Sequence, residues 1–357
     1  MNTMMDYINE QELVLKSILS NREINLGNWQ KVIKNKKIKR ILFLATGSSF
    51  NSVLSAKLYI EEIANVHIDI EEPYNFNEYG KVPNDVDMIV AVSQRGTSTS
   101  TINAVKKAKY SDKPVIVLTS IMDSPITKLV DNSLDMGCGI ETVGYSTKGV
   151  SATILSLMIM GIDLAVESGH VSRDIANREM EKLEEIVNKI PDIILKTKAF
   201  YQNHKMQFDG ASRISPLGYG PNVGTVREAE TKFTETVRVP TQGLEIEAYM
   251  HGPIFELHKN YMVIFTEIEN SGPYDRSRKL NDFVSQHCHN VYTITNGSSN
   301  NEDILGLHID VDELMSPLAL VVPYQVLSYL ICEGNGVDLS IPVYSDFKEV
   351  MGSKVTW

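Results

Sequence analysis

The chain has 357 residues, 43% of them hydrophobic and 22% charged, which allows two domains with packed cores and argues against disorder, collagen and disulfide scaffolds. Its 34 Lys and Arg against 45 Asp and Glu leave a formal charge of −11, which argues against nucleic acid or an anionic membrane as a general partner. Cys138, Cys288 and Cys332 form no C-x-x-C pair, so neither structural zinc nor a disulfide framework is expected, and a reducing cytoplasmic setting fits.

Residues 1–37 read as an N-terminal helical segment, with no basic stretch leading into an apolar core that would mark a signal peptide. From 38 to 136, strand-length apolar runs alternate with helical spacing. Ile41–Ala45, Met88–Val92 and Val115–Thr119 predict strands, and Ser52–Ala64 and Thr101–Ala108 predict helices between them. That alternation specifies an α/β fold with a doubly wound parallel sheet. A helix over 147–168 closes a first lobe at 38–170, Gly169 marks a break, and a helix over 172–205 leads into a second lobe at 171–342. Residues 343–357 are left as a C-terminal tail. The apolar runs at 152–162 and 316–331 are shorter than the ~20 residues of a membrane span and predict buried helices.

The pattern then recurs. Leu44-Ala-Thr-Gly-Ser-Ser-Phe-Asn-Ser-Val53 can be laid on Leu217-Gly-Tyr-Gly-Pro-Asn-Val-Gly-Thr-Val226. At nearly the same offset Met88–Val92 falls on Met262–Thr266, and Val115–Thr119 falls near Val291–Thr295. Three strands repeated in order predict an internal duplication, giving two similar doubly wound lobes.

Two polar turns follow strands of the first lobe. Gly47 in Thr46-Gly-Ser-Ser lets backbone approach an anion, and Ser48 and Ser49 add hydroxyl donors at a helix start. Ser93-Gln-Arg-Gly-Thr-Ser-Thr-Ser100 is a second such turn, offering Ser93, Gln94, Arg95 and Ser98. Capped βα loops use the same residues, but two polar loops at one sheet edge favour a phosphate. Gly218-Tyr-Gly-Pro-Asn-Val-Gly224 has a dinucleotide-like spacing, weakened by Pro221 and by the lack of a matching acid downstream. On the helix that follows, Glu228, Lys232 and Glu235 share a face opposite Val226, Ala229, Phe233 and Val237. An i,i+4 pair on a solvated face is the plain expectation there. His251 precedes a Gly-Pro turn, where it could shuttle protons or serve structure alone. His287 and His289 have no partner cluster, so no metal is assigned.

Taken in order, these residues resemble the sugar isomerase (SIS) family, most closely the isomerase half of glucosamine-6-phosphate synthase, and also the fructosamine-6-phosphate deglycases. Gly47–Ser49 and Ser93–Ser98 look like the family's phosphate loops, and Gly144-Tyr-Ser-Thr-Lys148, with Ser146, looks like its V-A-S-T-K segment. Glu228 to Glu235 looks like its E-x-x-x-K-x-x-E helix, Met250-His-Gly-Pro253 like its K-H-G-P turn, and Lys354 like its C-terminal lysine. The pattern departs at Arg95, Thr97, Thr234 and Met250, and a chain lacking the synthase's glutaminase half is expected. The resemblance implies an isomerase, deaminase or deglycase acting on a ketose or amino-sugar 6-phosphate, without glutamine hydrolysis. Glu235, His251, Lys354 and Lys232 would be catalytic, no cofactor would be needed, and a homodimer would supply His251 across its interface. SIS lobes also serve as phosphosugar sensors, so a non-catalytic regulatory protein is the alternative.

Overall fold

A computed structural model describes residues 2–355, and Met1, Thr356 and Trp357 of the expected N-terminal segment and tail lie outside the described residues. The chain forms two compact units. One gathers residues 13–142, 148–184 and the tail from 341, and the other gathers 2–12, 143–147 and 185–340. This grouping differs from a division along the chain. The expected N-terminal segment is shared, because Met4 and Ile8 bury apolar side chains in one unit while Trp29 and Ile33 bury theirs in the other.

The first unit is built on five parallel strands: β1 (Arg40–Leu44), β2 (His67–Glu71), β3 (Met88–Val92), β4 (Val115–Thr119) and β5 (Asn132–Asp135). Their order is β2-β1-β3-β4-β5. β3, Met-Ile-Val-Ala-Val, is buried at every position, as a central strand covered by helices on both faces must be. Leu42, Leu44, Ile89, Ala91 and Val117 pack with Ile102 and Val105 of the helix Thr99–Ala108 on one face. The helices Ser48–Ala64 and Lys148–Glu167 pack together, close enough that a Cβ on Gly161 would lie 3.0 Å from Ile60. The buried Trp29 indole donates to Met160 O at 3.0 Å.

The second unit repeats this plan with β6 (Ile214–Gly218), β7 (Leu244–Glu245), β8 (Met262–Glu267), β9 (Asn290–Thr295) and β10 (Ile304–Gly306). The order β7-β6-β8-β9-β10 is that of the first sheet, strand for strand, and every pairing is parallel. The expected fold class, two doubly wound lobes, is what the chain adopts. The helices Lys148–Glu167 and Pro317–Gly334 are long and apolar enough to cross a membrane, yet 89% and 78% of their apolar windows are buried in the protein. They are core helices.

Candidate active site

In doubly wound sheets ligands collect at the carboxyl ends of the strands, and the first unit places both polar turns there. After β1, Gly47 takes φ +56 and opens the helix Ser48–Ala64, whose first residues are Ser48 and Ser49. After β3, the loop from Ser93 to Ser98 leads into the helix Thr99–Ala108. The backbone of that loop is pinned on several sides. Ser93 N–H donates to Leu118 O at 3.0 Å, and Gln94 O accepts from Ser120 N–H at 2.9 Å and from Ser120 Oγ at 2.7 Å. Gly96 turns at φ +64, so tightly against Ser124 that a Cβ would come within 2.0 Å of its Oγ.

The side chains of the loop are pinned by a residue that sequence reasoning did not single out. Glu141 is buried at 3% exposure. One carboxylate oxygen accepts from Gln94 Nε2 at 2.6 Å and Gly149 N–H at 3.3 Å, and the other accepts from Lys148 N–H at 3.1 Å. Arg95 Nη2 donates to its carbonyl oxygen at 2.8 Å while the rest of the arginine stays exposed. A lone acid in an irregular stretch leaves no periodicity to read, and its bonds to the main-chain N–H groups of Lys148 and Gly149 leave no mark in residue type.

The tail completes this cluster. Val355 N–H donates to Thr97 O at 2.9 Å, Thr99 N–H donates to Ser353 O at 3.2 Å, and Thr99 Oγ1 donates to Gly352 O at 2.7 Å. Lys354 therefore sits opposite Ser98 in a short antiparallel pairing, with Val355 against the apolar core. Desolvation, then the Arg95 and Lys348 cations, hold the Lys354 ammonium below the usual lysine range. Its side chain is still exposed, so solvent tempers that shift.

The second unit carries the acid–base candidates. The expected solvated face of the helix Asn222–Lys232 is buried instead, with Glu228 and Lys232 each 1% exposed and 3.5 Å apart. An i,i+4 pair looks identical in sequence whether water or protein covers it, which is why the plain expectation failed. Lys232 Nζ also donates to Glu235 at 2.7 Å. Glu235 differs from its neighbours because its side chain is 39% exposed and lies in a π-helical turn, Phe233–Val237. That turn closes with Arg238 N–H on Phe233 O at 3.0 Å, and Thr236 Oγ1 holds Lys232 O at 2.8 Å. Wide turns of this kind are frequent at functional sites because they re-aim a side chain. The structure thus brings Lys232 and Glu235 together, a partly exposed carboxylate backed by a buried lysine.

His251 lies at the end of the short helix Ile246–Met250 with its ring exposed, bound through its backbone N–H to Glu247 O at 3.2 Å. Ser146 belongs to residues 143–147 of this second unit. A buried amide chain supports its neighbour, with Gln11 Nε2 donating to Gln325 Oε1 at 2.9 Å and Gln325 Nε2 donating to Thr147 O at 3.1 Å. In the dinucleotide-like turn, Tyr219 and Asn222 are buried and bonded to other parts of the unit. Tyr219 Oη accepts from Ile268 N–H at 2.9 Å, and Asn222 Nδ2 donates to Ser316 at 2.8 Å. Among the described residues, no three His, Cys, Asp or Glu side chains cluster as metal ligands.

Comparison with known proteins places this geometry. Residues 35–162 match the SIS domain, which bears out the family resemblance read from the motifs. Glutamine–fructose-6-phosphate aminotransferase (isomerizing) from Thermococcus kodakarensis is 27% identical over 345 residues, covering 94% of this chain and 56% of that protein. The chain thus spans about half the length of the curated relatives it matches. A Clostridium difficile 630 protein proposed to be a phosphosugar isomerase superposes with TM-score 0.90 at 26% identity over 99% of both chains. The C-terminal domain of glucosamine-fructose-6-phosphate aminotransferase from Francisella tularensis shares the fold with TM-score 0.84 at 20% identity, covering 94% of this chain and 96% of that one.

Proposed function

We propose that this SIS-domain chain is an enzyme of the phosphosugar isomerase type, acting on a ketose or amino-sugar 6-phosphate as isomerase, deaminase or fructosamine-6-phosphate deglycase. The observation that carries this is Glu235, a half-exposed carboxylate on a π-turn, ion-paired to the buried Lys232. A sensor needs to bind a sugar, but it does not need a paired acid–base group.

The turns at Gly47–Ser49 and Ser93–Ser98 offer N–H groups and hydroxyls for the phosphate dianion, and Ser146 offers a hydroxyl for the sugar. His251 would open the ring, giving a proton to the ring oxygen as its C–O bond breaks and taking one from the anomeric hydroxyl. Glu235 would lift the proton from C2 of the aldose form, or C1 of the ketose, and return it to the adjacent carbon through an enediol or enolamine. Lys232 would orient the Glu235 carboxyl for both transfers through its 2.7 Å hydrogen bond. Lys354, its ammonium already disfavoured, could add to a ketose carbonyl with loss of water to give an imine. The exposed His251 ring suits delivery to a second copy of the chain, and we assign the working form as a homodimer on that basis.

Incubation with fructose 6-phosphate plus ammonia, glucosamine 6-phosphate and fructosamine 6-phosphates, followed by NMR and mass spectrometry, tests this. Conversion of at least one is expected. Binding without conversion of any would favour the regulatory alternative.

A further inference from the structure

We infer that Glu141 is a positioning residue for phosphosugar binding, a bracket that holds the 93–98 loop in its working shape; this rests on the assignment of that loop to the phosphate. Its carboxylate takes N–H donors from two directions, Gln94 Nε2 from the loop and Lys148 and Gly149 from the start of the helix Lys148–Glu167. Its carbonyl takes Arg95. Two consecutive loop side chains are therefore fixed by one buried residue. An anion beside a phosphate site would ordinarily repel the ligand. Here three N–H donors and the positive end of a 20-residue helix offset that charge.

Gly149 completes the bracket. A Cβ there would fall 1.9 Å from Gln94 Nε2 and 2.4 Å from its Cδ, so the amide reaches Glu141 only because the helix lacks a side chain at that point. Ordinary helix energetics would favour alanine over glycine in this first turn. Glu141→Gln keeps the size of the side chain but turns an NH2 toward one of its N–H donors. Gly149→Ala leaves Glu141 intact and displaces Gln94 instead.

Affinity for fructose 6-phosphate, measured by calorimetry alongside thermal unfolding, separates this role from a purely structural one. Each variant should raise Kd about 10- to 100-fold, the value of a hydrogen bond to a charged group. Gly149→Ala should do so while keeping a cooperative thermal transition only modestly lowered, and the double variant should lose little more than either single one because both break the same link. Wild-type binding with undiminished affinity in Gly149→Ala would overturn the bracket alone. No binding by the wild type would overturn the phosphate assignment and the bracket with it.

Discussion

Replacing Lys232 with methionine should cost far more stability than any change at Glu235. Lys232 and Glu228 are each 1% exposed and 3.5 Å apart, so their attraction is about 5 kcal/mol at an effective dielectric of 20. Desolvation of both groups offsets much of that in the intact pair. Removing only the cation keeps the desolvation of Glu228 and deletes its compensation, a change worth ~3–5 kcal/mol. Against a total stability of ~5–15 kcal/mol that is a large fraction. The link to Glu235 is shorter, 2.7 Å, but that carboxylate is 39% exposed, and Glu235→Gln should cost no more than ~1 kcal/mol. Urea unfolding of the two variants beside the wild type reads the difference directly. If Lys232→Met unfolded within 1 kcal/mol of the wild type, or less easily than Glu235→Gln, the buried-pair account of this helix would be wrong.

Two further outcomes follow from the first unit. Gly96→Ala puts a Cβ 2.0 Å from Ser124 Oγ at φ +64, so the variant should lose ~1–3 kcal/mol in urea unfolding and bind fructose 6-phosphate more weakly; unchanged values would show that the loop relaxes freely. Lys354 has its pKa lowered by desolvation and by Arg95 and Lys348, so in the window between its folded value and 10.5 the unfolded chain binds more protons and stability rises with pH. Lys354→Met should flatten that rise, and borohydride with fructose 6-phosphate should add the ligand mass to the peptide carrying Lys354; an unlabelled peptide would exclude the imine.

The parts of the fold that depend on hydrophobic runs were legible. β3 and β4 appear at their expected bounds, and the offset between Leu44 and Leu217 anticipated two sheets of identical strand order. β2 was not anticipated, because His-Ile-Asp-Ile-Glu mixes an exposed histidine and two acids at the sheet edge. At the candidate site, Gly47 and the 93–98 loop could be located from glycine and hydroxyl patterns, whereas Glu235 and Lys354 are singled out by the family resemblance. What they touch could not be read in either way. The burial of Glu228 and Lys232, the π-turn beneath Glu235 and the pairing of Lys354 with Ser98 arise from tertiary packing, which residue spacing along one element does not encode. Glu141 illustrates the limit most plainly, since its partners lie 47, 46, 7 and 8 residues away in sequence.

The central claim is that Glu235 moves a proton between adjacent carbons of a bound sugar phosphate. Deuterium uptake from D2O at C1 and C2 of the converted substrate, followed by NMR, measures that step without reference to the released product. The wild type should exchange these positions, and Glu235→Gln should slow exchange by ~10²–10⁴ while retaining substrate affinity within a few-fold. Exchange at the wild-type rate in Glu235→Gln, with binding intact, would contradict the account and remove Glu235 from the chemistry.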